Sequence, residues 1–270
     1  MTSPNAGELD YLGHLARESA RFAEAVGAVP PSTAVPTCPD WNADDLLWHL
    51  GEVQWFWGTI VRDGVTTDDQ VEKLRAERPS ERPDLREFYA AASRDLGELL
   101  AAAAPGTPAW TWAQDQTVGF IRRRQAHEAL IHRIDAELTA DSRTPMDSQL
   151  SADGVDEALR IMYGGGPEWA SFTPRDGQPV RVQASDTGHT WLVTPGRFAG
   201  AKPDGQTSYD EDGIQIADSD PGTDAAATIS GTAADLDCWL WHRPPVGQID
   251  RSGDPSALAA LDSVLAADIN

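Results

Sequence analysis

The sequence predicts a helical bundle of about 145 residues followed by a smaller α+β domain. Four long stretches in the first half repeat apolar residues at helical spacing and are separated by segments rich in Pro, Gly or charge. Strand-like runs replace them in the second half. The length of 270 residues accommodates two domains of ordinary size. We therefore expect a bundle at residues 1–150 and an α+β domain at residues 151–270.

The first two predicted helices lie on either side of a Pro-rich segment. Residues 8–28 carry apolar side chains at near-helical spacing, and two prolines end this helix. Residues 32–39 contain Pro and Thr and are predicted to form a loop. Asn42 is a favourable N-cap for a second helix that runs to about Arg62, with acidic residues in its first turn.

Two further helices complete the predicted bundle. Residues 63–83 are charged and contain proline, which indicates a solvated connection or a short irregular helix. Pro83 suits the first turn of a third helix over residues 84–104, which a Pro-Gly-Thr-Pro segment ends. A fourth helix is predicted over residues 116–140. Four such helices with loop signals between them are typical of a bundle.

The second half changes from a helical to a strand-like pattern after a short helix at 153–163. Strands are predicted at 180–185, 190–194, 213–217 and 226–230. Residues 246–250 are a further strand candidate, with a weaker pattern. Helices are predicted at 233–242 and 255–266. The acidic, Gly-containing segment 203–224 is predicted as an exposed loop, so this half has an α+β composition.

The charge balance restricts the partners of this protein. A net charge of −22 argues against nucleic acid and anionic membranes, because both need basic patches. No apolar stretch has the length of a membrane span, and the N-terminus lacks a signal-peptide pattern, so we expect a cytoplasmic protein. Cys38 and Cys238 are expected to be reduced and not catalytic.

One cluster of residue types indicates chemistry. Glu128 and His132 are four apart in a helix, so they share one face, and His49 occurs in another amphipathic helix. Two His and one carboxylate are the ligand set of an open catalytic zinc site. Arg124 and Asp135 extend the ionisable stripe on the helix that carries Glu128 and His132, and the positions beside this stripe are apolar. Buried ionisable groups need partners or a metal.

Neighbouring residues leave alternatives open. His127 is rotated by about 100° from the Glu that follows it and is expected to miss the site. Asp135 and Asp45 could each orient a ligand imidazole through its second ring nitrogen. For Asp45, compensation of the helix dipole is an equally good explanation. The sequence contains no GxSxG elbow, P-loop or GxGxxG signature after a strand.

Three segments resemble the mycothiol-dependent maleylpyruvate isomerase family. Residues 38–50, CPDWNADDLLWHL, are similar to its CPxWxxxDLxxHL segment. Residues 123–137, RRQAHEALIHRIDAE, are similar to its RxxxHExxxHRxDAE helix. Residues 228–243 resemble its C-terminal domain, so the similarity spans most of the chain.

The resemblance implies a DinB-like four-helix bundle, a sterol-carrier-like α+β domain and a divalent metal, usually zinc, on His49, Glu128 and His132. It also implies mycothiol as a thiol cosubstrate. Some members of the family isomerise a cis double bond, and related bundles transfer the thiol to an electrophile. An Arg of the C-terminal domain is implied to help, and Arg243 is our candidate, although an Arg at a helix C-terminus also suits the dipole. Arg124 is the second candidate cation for an anionic substrate.

A non-catalytic interpretation stays open from the residues alone. The bundle could use its metal structurally or as a sensor while the second domain binds a small apolar ligand. For the enzyme we expect a small unsaturated carboxylate as substrate, no nucleic-acid or membrane partner, a monomer, and a second domain that completes the active site.

Overall fold

The computed structural model describes residues 9–167, 169–175, 179–202, 205, 207–217 and 224–267. The chain divides into two compact units, Met1–Pro145 and Met146–Asn270. The first is helical apart from one short hairpin, and the second combines helices with a sheet, so the prediction of a mixed helix-and-sheet chain is confirmed. No helix in the described ranges combines the length and apolar character that crossing a membrane requires.

Four long helices form the first unit, and their bounds lie within a few residues of those predicted. They are α1 Tyr11–Gly27, α2 Ala43–Asp63, α4 Arg82–Ala102 and α5 Val118–Thr139. A one-turn helix, α3 Asp68–Val71, lies in the segment predicted as a connection or a short irregular helix. Helices α1 and α5 pack together, as do α2 and α4, and α2 also contacts α5.

Side-chain caps explain where α2 and α5 begin. The Asn42 side chain accepts hydrogen bonds from the backbone N–H groups of Asp44 and Asp45, and the Asp45 carboxylate accepts one from Asn42 N–H in return. This capping box satisfies N–H groups that the first turn would leave without partners. Thr117 caps α5 through Phe120 N–H. The predicted N-cap at Asn42 is therefore confirmed.

Residues 32–39 are not simply a loop, and that prediction is wrong. They contain β1 Ala34–Val35 and the start of β2 Cys38–Asn42, which pair antiparallel around the two-residue turn at 36–37. Val35 is 1% exposed and belongs to the apolar cluster between α1 and α2. Burial of Val35 helps to hold a segment whose Pro and Thr content indicates irregular structure. We refer to residues 34–42 as the β1–β2 hairpin.

Helix α5 is the central element of the first unit. Apolar clusters pack along it, one containing Leu46, Leu50 and Ala136 and the other containing Leu96, Ile121 and Ala129. Most of its charged side chains are buried as well, and these are Arg124, His132, Arg133, Asp135 and Glu137. Buried charges need oppositely charged or hydrogen-bonding neighbours, so α5 is surrounded by ion pairs as well as apolar contacts.

The second unit begins with a helix that ends irregularly. Helix α6 Ser148–Glu157 continues into a π-helical turn, Ala158–Met162. The remaining helices are α7 Ala233–Leu240 and α8 Pro255–Leu265. The strands are β3 Ser171–Pro174, β4 Val180–Ala184, β5 Thr190–Ala201, β6 Ser208–Ala217, β7 Ala227–Gly231 and β8 Asp250–Gly253.

These strands form one six-stranded sheet in the described residues. Strand β5 is long enough to pair with β6 on one edge and with β3 and β4 on the other. Strand β4 pairs parallel with β7, and β7 pairs antiparallel with β8. The core beneath the sheet includes the fully buried Val180, Ile229, Leu236 and Leu261.

Three strand predictions need correction. Strand β3 was not expected, and β8 lies just beyond the predicted 246–250. The acidic segment 203–224 is in part a strand, because β6 covers 208–217; residues 203–204, 206 and 218–223 lie outside the described residues. Arg197 of β5 forms ion pairs with Asp210 and Asp212 of β6 at 2.6 and 3.2 Å. The acidic residues of β6 indicate an exposed loop when this segment is considered alone. In the sheet, Arg197 of the neighbouring strand compensates their negative charge.

Candidate metal centre

Two helices of the first unit bring the three predicted ligands together. His49 lies on α2, and Glu128 and His132 lie one turn apart on α5. Glu128 Oε1 is 3.6 Å from His49 Nε2 and 3.2 Å from His132 Nε2. One ligand atom from each residue lies within 4.8 Å of the other two. In the described residues this is the group of three that could hold a metal.

The spacing of these atoms fits a small divalent cation. Ligand atoms about 2.0–2.2 Å from a tetrahedral zinc ion would lie about 3.3–3.6 Å from one another. The two distances from Glu128 Oε1, 3.6 and 3.2 Å, are close to this range. The donor set of two imidazole nitrogens and a carboxylate is one that zinc accepts with its fourth position open. The side chains of His49 and Glu128 are 32% and 19% exposed, so the cluster is accessible from one side.

Hydrogen bonds and ion pairs keep the cluster charged in the metal-free protein. Burial favours a neutral Glu128, but hydrogen bonds to His132 and His49 outweigh it and hold the pKa of Glu128 well below its ordinary value. Burial also opposes protonation of His132, but hydrogen bonds to Asp135 and Glu128 raise its pKa to about 9. In the metal-free protein the His132 imidazole therefore carries a proton that a metal would displace.

Two further residues of the predicted stripe contact the ligands. Arg124, which is 4% exposed, donates from Nη2 to Glu128 Oε2 at 3.1 Å. His132 Nδ1 donates to Asp135 Oδ2 at 3.0 Å, and Asp135 is fully buried. A carboxylate on Nδ1 leaves Nε2 to bind a metal and fixes the plane of the ring. Asp135 thus contacts the imidazole of a candidate ligand through its second ring nitrogen, the contact that sequence spacing left open for it.

Asp45 and His127, the other two residues considered near the predicted ligands, make different contacts. Asp45 bonds to Asn42 N–H and pairs with Arg78 at 2.7 Å, so helix capping and not imidazole orientation explains it. His127 is buried with its ring against Tyr11, so it does not join the ligand trio.

In the second unit, the candidate Arg243 follows the end of α7. It is 4% exposed, and its Nη1 donates to Trp241 O at 2.6 Å. This contact with a terminal carbonyl matches the helix C-terminus interpretation, and a catalytic role for Arg243 stays a prediction. Cys38 and Cys238 form no disulfide, and their lack of a catalytic role stays a prediction.

The β1–β2 hairpin contributes contacts that sequence reasoning missed. The Trp41 ring lies 4.7 Å from the His49 ring and 6.4 Å from the His132 ring, centroid to centroid. Thr37 Oγ1 donates to Asp135 Oδ1 at 2.6 Å. Trp41 belongs to the segment that resembles the isomerase family, so a signal existed for it. Thr37 lies in a segment predicted as a loop and carried no signal.

The fold and the site together define a chain with a group of three residues that could hold a metal on a helical unit, followed along the chain by an α+β unit. Residues 12–137 match the family of the mycothiol maleylpyruvate isomerase N-terminal domain, and residues 149–260 match the family of the MDMPI C-terminal domain. These matches cover most of the chain, so it belongs to the mycothiol maleylpyruvate isomerase family and is an enzyme of that family.

Two solved structures are similar in fold. One is described as the crystal structure of the mycothiol-dependent maleylpyruvate isomerase, with a TM-score of 0.58 and 12% sequence identity over 91% of this chain and 93% of that chain. The other is a His-to-Ala mutant of that isomerase, with a TM-score of 0.57 and 11% identity over the same shares. No curated protein sequence matches the chain.

Proposed function

We propose that this enzyme is a mycothiol-dependent isomerase or S-transferase that holds one divalent metal, zinc in the simplest case, on His49, Glu128 and His132. The convergence of their ligand atoms within 4.8 Å is the observation that carries the proposal, and family membership supports it. A metal with an open position would keep a bound thiol deprotonated at neutral pH.

Each residue of the site has a distinct task in this proposal. Glu128 supplies the negative charge of the ligand set, and Arg124 holds its second oxygen at 3.1 Å. Asp135 keeps the His132 proton on Nδ1. The Trp41 ring packs beside the His49 ring and shields that side of the cluster from water.

The proposed substrate is a small electrophile, and an unsaturated carboxylate fits best. Addition of a thiolate to an activated alkene leaves a single bond that can rotate, and loss of the same thiolate yields the isomerised alkene. If the adduct is retained, the outcome is thiol transfer. A protein with net charge −22 needs local cations to bind a carboxylate, and Arg124 and Arg243 are the proposed sources.

Several finer predictions belong to this proposal. They are the DinB-like and sterol-carrier-like character of the two units, a monomeric and cytoplasmic protein, and completion of the active site by the second unit. The similar structures carry the maleylpyruvate isomerase name, so maleylpyruvate is the first substrate to test.

The test is turnover of maleylpyruvate with mycothiol before and after removal of bound metal. We expect about one metal per chain, loss of turnover on stripping, and recovery when zinc is returned. Glutathione in place of mycothiol separates dependence on this particular thiol from dependence on any thiol. Full turnover by protein shown to contain no metal would contradict the metal-dependent mechanism.

A further inference from the structure

A chain of hydrogen bonds connects the β1–β2 hairpin to the candidate metal centre. Thr37 donates from Oγ1 to Asp135 Oδ1 at 2.6 Å, and Asp135 Oδ2 accepts from His132 Nδ1 at 3.0 Å. The other ring nitrogen of His132 faces Glu128 at 3.2 Å. The hydroxyl of Thr37 is therefore two hydrogen bonds away from the imidazole ring of a predicted ligand.

We propose that Thr37 is a positioning residue for the metal centre, acting through Asp135 to hold the His132 imidazole in its ligating orientation. The inference rests on the proposed function and deepens it, because it assigns a residue from outside the ligand helices to the same site. Thr37 itself is not a ligand: its contact is with the carboxylate of Asp135.

The geometry gives this hydroxyl a specific task. Asp135 is fully buried, and its carboxylate can turn about the bond to Cβ unless both oxygens are held. His132 holds one oxygen and Thr37 holds the other, so the plane of the carboxylate is fixed at both ends. The hydrogen bond to Asp135 fixes the orientation of the His132 ring. A more mobile Asp135 carboxylate would therefore allow the ring to turn and would lower metal affinity.

The hairpin is itself well anchored, so Thr37 can act as a fixed donor. Val35 is buried in the apolar cluster and pairs with Cys38 across the two-residue turn that contains Thr37. The backbone N–H of Ala43, at the start of α2, donates to Thr33 O at 2.9 Å. Trp41 of the same hairpin packs against the His49 ring. The hairpin thus contacts the His49 ring on α2 through Trp41 and the Asp135 carboxylate on α5 through Thr37.

The test compares Thr37→Val, Thr37→Ser and Thr139→Val in the full chain. Valine removes the hydroxyl at nearly constant shape, and serine retains it. Thr139 is a matched control on α5, because its hydroxyl bonds to the backbone carbonyl of Asp135 at 2.8 Å and not to its carboxylate. The readouts are the Zn²⁺ dissociation constant, from competition with a chromophoric chelator, and the visible spectrum of the Co²⁺-substituted protein.

We expect Thr37→Val to weaken Zn²⁺ binding by about three- to tenfold and to change the Co²⁺ spectrum. This is less than the roughly 10- to 100-fold loss typical of a residue that contacts a ligand directly, because Thr37 acts through Asp135. Thr37→Ser and Thr139→Val should both stay within about twofold of the wild type. If Thr37→Val does not fold, Thr37→Ala replaces it, because the smaller side chain fits the same space.

Two outcomes overturn the inference alone. One is an unchanged Zn²⁺ affinity and Co²⁺ spectrum in Thr37→Val while the wild type binds metal. The other is an equal loss in Thr37→Val and Thr139→Val, which would mean that any disturbance near Asp135 has the same effect. A wild type that binds no metal would overturn the proposed function together with this inference, so the two failures are distinguishable.

Discussion

His49 Nε2 lies 3.6 Å from Glu128 Oε1, although the two residues belong to different helices and are far apart in the chain. Helices α2 and α5 are packed so that the imidazole of one meets the carboxylate of the other. With His132 on the next turn of α5, this contact places at the helix–helix interface three residues that could hold a metal.

Removal of any one ligand is expected to abolish stable metal binding. We predict that His49→Ala, Glu128→Gln and His132→Ala each lower metal content from about one ion per chain to well below half, because two remaining ligands hold zinc weakly. Elemental analysis of protein purified without chelator measures this. His189→Ala is the control, since His189 is exposed on the second unit. Full occupancy in His49→Ala would show that this ligand set is wrong.

Metal affinity should depend on pH through His132. The pKa of His132 in the metal-free protein is raised to about 9, and binding requires the neutral ring. We predict that the apparent Zn²⁺ affinity falls about tenfold for each pH unit below about 9, with release of about one proton per metal bound at pH 7.5. Calorimetry in buffers of different ionisation enthalpy measures the proton release. An affinity that is constant from pH 7 to 8.5 contradicts the prediction.

The same shift affects the metal-free fold in a defined direction. A His whose folded pKa lies above its unfolded value of about 6.5 adds stability below that value, and the stability is lost as pH rises through about 9. Chemical unfolding of metal-free protein should therefore give a lower free energy of unfolding at pH 9 than at pH 7. The His132→Ala variant is expected to lose this part of the pH dependence.

A second buried cluster should contribute stability at neutral pH. Glu137 is fully buried, with Oε1 at 2.6 Å from Arg21 Nε and Oε2 at 2.9 Å from Arg133 Nη1. Burial favours the protonated acid, but hydrogen bonds from Thr144 and Arg21 outweigh it and hold the pKa of Glu137 below its ordinary value. This stability is present above the unfolded pKa of about 4.3 and is lost as pH falls through the folded value.

We predict that Glu137→Gln lowers the free energy of unfolding by about 2–4 kcal/mol at pH 7 and by clearly less at pH 4. Urea unfolding at the two pH values measures the difference. Glu24→Gln is the matched control: Glu24 also pairs with Arg21, but its side chain is 72% exposed, so its loss should cost less than about 1 kcal/mol. Equal effects of the two substitutions at pH 7 would contradict the assigned role of Glu137.

Arg243 offers a test of the contribution of the second unit to activity. If it supplies positive charge to a carboxylate substrate, Arg243→Lys should lower kcat/KM by about tenfold or more, because lysine cannot reproduce the planar fork of donors. Metal content should be unchanged. Arg251→Lys is the control, since Arg251 lies on the surface in an ion pair with Asp262. If Arg243→Lys changes only the unfolding midpoint, Arg243 serves to cap α7 and has no part in the reaction.

The helical elements could be predicted from the sequence because they depend on local spacing, and the candidate trio because each of its helices shows an inward-facing ionisable residue. Helical periodicity placed Glu128 and His132 on one face, and apolar neighbours indicated that His49 points inward. The β1–β2 hairpin was missed because its strands are very short and held mainly by burial of Val35 against α1 and α2. That burial becomes visible only when the helices are packed.

The role of Thr37 could not be predicted for the same reason. Its partner Asp135 lies far along the chain, and nothing in the turn around Thr37 indicates a carboxylate opposite it. Strands β5 and β6 were predicted too short because Arg197 compensates the acidic residues of the next strand, a contact between segments that no single window contains.

Helix α5 takes part in two charged clusters on different sides. His132 faces Glu128 and His49, while the next residue, Arg133, is turned by about 100° and meets Glu18 of α1 at 2.6 Å. Rotation of α5 about its axis would separate both sets of charges at once. The rotation of this helix about its axis is therefore fixed by two sets of charges. Removal of the α1–α5 ion pairs would also loosen the helix that carries Glu128 and His132. Substitutions in α5 can therefore disturb the candidate metal centre by changing the rotation of the helix, even at positions such as Arg133 that lie on another side of it.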